Sequence, residues 1–126
     1  MTTATELPEV NRELFRQIRD WIKTHPSSHD NWMWESSYGN PECGTTRCTA
    51  GWAIHFAYPG YRYIREALDH HGNGAGYSGF GRELLGLTYP EAEYLFYCDN
   101  EPAMEMIEHY AECGREGWEL PDGYED

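Results

Sequence analysis

The amino-acid sequence predicts an all-α fold, a compact single domain of five to six short helices around an aromatic-rich core. Apolar residues recur at helical spacing in several segments, while the alternating pattern of a strand is nearly absent. Gly and Pro residues separate these segments at short intervals. Aromatic side chains make up 15% of the 126 residues, which favours a packed core over a disordered chain despite the high charge.

Three of the predicted helices have a clear signal at one of their ends. Val10, Leu14 and Ile18 fall on one face of the first helix, and Pro26 ends it. Gly86 suits the end of the fourth helix, and the segment 88–91 (Thr-Tyr-Pro-Glu) is a capping box that opens the fifth. The predicted helices cover residues 8–24, 46–57, 61–71 and 80–85, then a fifth that opens at residue 88 and a sixth from 100 to 114. The whole chain, 1–126, is predicted as one helical domain with a folded core at 8–113 and an acidic tail at 114–126.

The net charge of −13 limits the partners of the protein and is unevenly distributed. Residues 1–87 hold 10 acidic and 8 basic side chains, whereas residues 88–126 hold 12 acidic side chains and one basic, Arg115. Phosphates would be repelled, so direct binding to nucleic acid or to an anionic membrane surface is not expected. A protein partner with a basic surface is electrostatically favoured, chiefly through its rate of association.

The sixth predicted helix carries most of this asymmetry. Its glutamates recur every three or four residues and share one helix face; they are Glu101, Glu105, Glu108, Glu112 and Glu116. The opposite face is predicted to hold Ala103, Met104, Ile107, Tyr110 and Ala111. Such a run of charge is often only a solvated face, but almost no local lysine or arginine offsets it. We therefore predict that this acidic stripe contacts the partner, with Trp32 and Trp34 of the long aromatic loop as further candidates.

Two cysteines at the start of the second predicted helix permit a different interpretation. Cys43 and Cys48 could act as metal ligands or reactive thiols, and His25 and His29 could complete a zinc site. The spacings are not those of a common zinc module, however, and Pro26 breaks the helix that would align the histidines. The favoured interpretation is that both cysteines are buried structural residues, with no metal and no cofactor. A cysteine-centred regulatory module, stapled by metal or based on the thiols, is the alternative.

The same cysteines belong to a segment that carries a resemblance. Residues 43–53, with the sequence CGTTRCTAGWA, resemble a motif of small uncharacterised proteins of actinobacteria and their phages. Further similarities are His25-Pro26, the tryptophans of the loop, the LLGL segment at 84–87 and the EAEYLF segment at 91–96. The resemblance covers roughly residues 14–97 and implies an actinobacterial or phage origin. It implies no activity.

The function expected from the sequence is that of a small acidic binding protein, phage-encoded or phage-derived, that contacts a host protein through its acidic C-terminal helix. Mimicry of DNA by rows of carboxylates is one version of this hypothesis. Catalysis is not expected, because Cys48 and His55 lie about 10 Å apart along a helix, too far for the hydrogen bond that would activate the thiol. The N-terminus lacks a signal peptide and no apolar run could cross a bilayer, so a cytoplasmic location is expected.

Overall fold

The computed structural model describes residues 7–24, 49–61, 63–72, 74, 76–98 and 100–124. These residues form six α-helices and contain no strand, which confirms the predicted all-α fold. In chain order the helices are α1 (Arg12–Thr24), α2 (Thr49–Ala57), α3 (Ile64–His71), α4 (Tyr77–Leu85), α5 (Tyr89–Tyr97) and α6 (Asn100–Cys113). Within the described ranges no helix combines the length and apolar character needed to span a membrane.

The first helix begins later than predicted. Its N-cap is Asn11, whose side-chain oxygen accepts a hydrogen bond from the backbone N–H of Leu14 at 3.1 Å. The side-chain amide of Asn11 also donates to the carbonyl of Leu84, and its backbone N–H donates to the carbonyl of Leu85 at 2.9 Å. The segment containing Pro8 therefore lies outside the helix and is tied to the end of α4 by Asn11.

The core is aromatic-rich, as predicted, and is built where α1 lies between α2 and α6. Phe15 of α1 contacts Tyr110 of α6 with ring centroids 5.4 Å apart, and Trp21 contacts Trp52 of α2 at 5.5 Å. The largest fully buried side chains of this main cluster are Trp52, Tyr110, Phe15, Phe96, Ile18, Leu85, Leu87, Leu95, Met106 and Ile107. A second, smaller cluster joins α2, α3 and α4 through Ile54, Ile64, Ala67 and Phe80.

The turn between α4 and α5 follows the sequence signals. Gly86 adopts a left-handed conformation with φ of 73°, the geometry for which glycine is favoured at a helix C-terminus. The Thr88 N–H donates to the Glu91 carboxylate at 2.7 Å, and the Glu91 N–H donates to the Thr88 hydroxyl at 3.3 Å. The predicted capping box is therefore present, and it sets the direction in which α5 leaves the turn.

The residues after α6 do not extend away as a tail. Gly114 is buried, and Trp118 packs against the main hydrophobic cluster. Near the end of the described chain, the ring of Tyr124 lies edge-on to that of Tyr94 on α5, with centroids 5.3 Å apart. The segment predicted as an acidic tail, 114–126, is therefore folded back onto α5 and α6 as far as residue 124.

Candidate functional site

Four glutamates of the acidic stripe lie on the solvent side of α6, whereas the fifth, Glu116, was predicted on the same helix face but lies in the turn after the helix ends. Glu101, Glu105, Glu112 and Glu116 are exposed, and Glu108 is half-buried. The opposite face is buried through Ala103, Met106, Ile107, Tyr110 and Ala111. Met104, predicted on the buried face, is only half-buried, and Met106 occupies the core instead.

Two glutamates of the stripe have counter-charges that come from α1. The ammonium nitrogen of Lys23 lies 3.0 Å from a carboxylate oxygen of Glu108, and Nη1 of Arg19 lies 3.0 Å from one of Glu112. Arg12 adds a hydrogen bond from its guanidinium to the backbone carbonyl of Glu112. The expectation that the stripe lacks counter-charge is therefore wrong at its centre, because the first helix packs along the sixth and supplies the cations.

The other three glutamates of the stripe lack an ion-pair partner in the described part of the chain. Glu101, Glu105 and Glu116 form no ion pair with any residue that the structure describes. Burial, with the charges of Cys98, Glu105 and Tyr124, raises the pKa of Tyr94 above its ordinary value of 10.0. The negative charge of Glu105 therefore acts on Tyr94. Glu101 lies one turn before Glu105 on the same face of α6. We call Tyr94, Tyr124, Glu101 and Glu105 the acidic–aromatic patch.

An open groove of about 450 Å³ runs between α1 and α6 beside these charges. Its lining combines the four residues of the two ion pairs with Glu105 and three uncharged groups; the residues are Arg19, Lys23, Glu105, Glu108, His109, Glu112, Cys113 and Trp118. His109 donates from Nε2 to the carbonyl of Glu116 at 2.6 Å, because a carbonyl oxygen can only accept. This bond holds the turn that contains Glu116 against α6. The side of the groove formed by this turn is therefore fixed to the helix.

Sequence reasoning missed a partly buried ion pair that joins three parts of the chain. Arg115 donates from Nε to Glu91 at 2.6 Å and from Nη2 to the other carboxylate oxygen at 2.8 Å. Its guanidinium also donates to the carbonyls of Pro8 at 2.8 Å and Gly86 at 3.1 Å. The Tyr110 hydroxyl donates to the same carboxylate at 2.6 Å. We call Glu91, Tyr110 and Arg115 the clasp, and the position of Arg115 as the single cation of the last third was its one signal in the sequence.

The clasp makes stability depend on pH at the acidic end. Burial favours a higher pKa for Glu91, but hydrogen bonds from Arg115, Tyr110 and Thr88 outweigh it and hold the pKa below its ordinary value of 4.5. A depressed folded-state pKa contributes stability above the unfolded pKa, and that contribution is lost as pH falls through the folded value. Glu91→Gln removes the titration, so its unfolding free energy should fall less steeply than that of the wild type between about pH 6 and about pH 2. Denaturant unfolding at each pH measures both slopes, and equal slopes would contradict this role for Glu91.

Several predicted site residues lie outside the described part of the chain: Trp32, Trp34, Cys43, Cys48, His25 and His29. The described half of the cysteine-containing motif, Thr49–Ala53, forms the buried start of α2, where Trp52 is 1% exposed. The cysteines that are described are Cys98, half-buried, and Cys113, exposed. No group of three or more His, Cys, Asp or Glu side chains within the described ranges could hold a metal ion.

Comparison of the chain with protein-family models, with curated proteins and with solved structures gives no match. The resemblance to actinobacterial and phage proteins therefore stays a prediction. Function has to be inferred from the placement of charge on α6, from the groove beside it and from the folded C-terminal segment.

Proposed function

We propose that the protein is a small binding domain, without catalytic activity, that docks a basic segment of a partner protein on the acidic–aromatic patch of α5, α6 and the C-terminal segment. The observation that carries this proposal is the pairing pattern along α6. The fold supplies cations to Glu108 and Glu112 but none of its described cations to Glu101 and Glu105. Two exposed carboxylates therefore remain available to an external lysine or arginine.

The tyrosines of the patch suit the same partner. A lysine or arginine side chain can contact an aromatic face while its charge meets a carboxylate, and the two contributions add at a partly desolvated site. The charge of Glu105 acts on Tyr94, and the ring of Tyr94 contacts that of Tyr124. The paired glutamates also interrupt the row of charges that a DNA mimic would present, which supports a basic protein segment over mimicry of a phosphate backbone.

The setting of this interaction follows from the sequence. The resemblance of residues 43–53 to actinobacterial and phage proteins suggests that the partner is a host protein and that the chain is phage-encoded or phage-derived. The encounter would take place in the cytoplasm. The large negative net charge would speed it by attracting a basic surface from a distance.

Two double variants of α6 test which carboxylates bind. E101Q/E105Q removes two carboxylates without described partners, and E108Q/E112Q removes the same number of charges from the same helix at positions that already have partners. We expect E101Q/E105Q to fold at least as stably as the wild type, since one like-charge i,i+4 pair is removed. The variant should nevertheless recover much less partner from an actinobacterial host lysate at about 0.1 M salt, where the Debye length is about 10 Å.

The control variant separates a binding site from a general effect of charge. E108Q/E112Q should retain most of the captured partner and should lose up to about 1 kcal/mol of stability per exposed ion pair. Wild-type capture should weaken at about 1 M salt, where screening acts within about 3 Å. If E101Q/E105Q recovers the same protein in the same amount as the wild type, the patch is only a solvated surface.

A further inference from the structure

A tyrosine and two histidines meet at the C-terminal end of α3. The hydroxyl oxygen of Tyr61 lies 3.0 Å from Nδ1 of His70 and 3.0 Å from Nε2 of His71. Tyr61 precedes α3, whereas the two histidines are its last residues. Both imidazoles are exposed and Tyr61 is half-buried, so the three donor atoms meet at the surface, within reach of water.

Stacked rings hold this cluster in place. The His71 ring lies parallel to that of Tyr58, with centroids 4.2 Å apart and an interplanar angle of 10°. Tyr58 in turn stacks on Phe80 of the second hydrophobic cluster at 5.7 Å. Tyr61 packs against the same cluster. His71 and Tyr61 are therefore anchored to the core before any ligand binds, which reduces the entropy that binding must overcome.

Two of the three separations between the donors are close to those of a coordination shell. Zinc binds imidazole nitrogen at about 2.0–2.1 Å in tetrahedral geometry, which places neighbouring donors about 3.3 Å apart. The two oxygen–nitrogen separations of 3.0 Å need to open by only a few tenths of an ångström, whereas the exposed His70 and His71 rings, with centroids 6.3 Å apart, must turn toward each other to share an ion. Without a metal, the phenol can donate its one proton to a single histidine, so the other imidazole must donate to the phenol oxygen.

We propose that Tyr61, His70 and His71 form a binding site for a divalent transition-metal ion of the zinc type. Imidazole nitrogen is a preferred ligand of such ions, and water would complete the shell on the exposed side. The bound ion would join the C-terminal end of α3 to Tyr61, which lies three residues before the helix begins. The site differs from the zinc site considered at Cys43, Cys48, His25 and His29, and it shares no residue with the acidic–aromatic patch.

Calorimetric titration with zinc chloride tests the site on the full-length, tag-free protein after treatment with a chelator. The wild type is expected to bind one zinc ion at this site. His70→Gln and His71→Gln should each weaken binding at least about tenfold, since loss of even an outer-shell partner of a ligand costs roughly 10- to 100-fold. Tyr61→Phe keeps the ring and removes the oxygen, and it should also weaken binding about tenfold.

Two further variants serve as controls. His109→Gln removes a histidine outside the cluster, and C43S/C48S removes the cysteine ligands; both should bind zinc at Tyr61, His70 and His71 with wild-type affinity. Circular dichroism should show that the ligand variants keep their helices, because the histidines are exposed. The proposal is overturned if the wild type binds no zinc at about 1 mM, a concentration at which even a site with a Kd of about 1 mM would be half occupied. It is also overturned if binding is lost only in C43S/C48S, or if Tyr61→Phe binds as tightly as the wild type.

Discussion

Replacing Arg115 with methionine is expected to lower the free energy of unfolding by about 3–5 kcal/mol, a large part of the stability of a domain of this size. The variant would leave the carboxylate of Glu91, whose side chain is only 6% exposed, without its cation. It would also remove the hydrogen bonds to the carbonyls of Pro8 and Gly86. The remaining donors, the Tyr110 hydroxyl and the Thr88 N–H, are neutral and already bonded to this carboxylate, so they cannot replace the charge and the two hydrogen bonds of Arg115.

The matched control is Arg16→Met. Arg16 pairs with Glu13 at 3.3 Å, but both side chains are exposed, at 41% and 73%. Exposed pairs of this kind contribute at most about 1 kcal/mol. Urea unfolding of the two variants should therefore differ several-fold in the stability lost. If Arg115→Met unfolds at the same urea concentration as Arg16→Met, the clasp does not hold the C-terminal segment to the core.

The second large effect is expected at Gly86. An alanine there would adopt a left-handed conformation, at a cost of about 1–2 kcal/mol. Its Cβ would overlap the carbonyl oxygen of Glu9 and lie 2.8 Å from the carbonyl carbon. Both are backbone atoms, so the N-terminal segment would have to move, adding roughly 1–3 kcal/mol. Movement of Glu9 would also disturb the hydrogen bonds that Asn11 and Arg115 make in this turn.

Gly123→Ala isolates the conformational part of this cost. Gly123 has a φ of 97°, and an added Cβ would meet nothing within 4 Å. The two variants share the strain of a left-handed alanine and differ in the contact with the N-terminal segment. We expect Gly86→Ala to lower the thermal midpoint by clearly more than Gly123→Ala. Equal thermal midpoints would show that residues 7–10 can move away from residue 86 with no loss of stability, and that they do not stabilise the turn.

Local signals made the helical elements around residues 84–97 predictable. A left-handed glycine and a capping box act over four residues, so they can be read from the sequence without knowing what lies nearby. Ala92, Leu95 and Phe96 recur at helical spacing after this box, and all three are buried. The start of α1 was misplaced because Pro8 is as acceptable in a first turn as ahead of one, whereas the cap at Asn11 depends on contacts with α4.

The charges of the site could not be predicted in the same way. The cations that pair with Glu108 and Glu112 come from α1, and only the packing of that helix along α6 brings them together. The prediction of a tail differed from the structure for the same reason, because contacts between distant residues decide the outcome. Composition marked residues 114–126 as polar, but Arg115 and Trp118 make contacts with distant parts of the chain that composition does not encode.

The most direct test of the proposed function is the dissociation rate of the captured partner, purified and measured against the two double variants of α6. Both variants lose two charges, so both should slow association by weakening the long-range field. Only E101Q/E105Q removes carboxylates that would contact the partner. We predict that this variant dissociates about tenfold faster than the wild type, the equivalent of roughly 1.4 kcal/mol, while E108Q/E112Q keeps the wild-type dissociation rate. Equal dissociation rates for the two variants, or faster dissociation of E108Q/E112Q, would contradict docking at the acidic–aromatic patch.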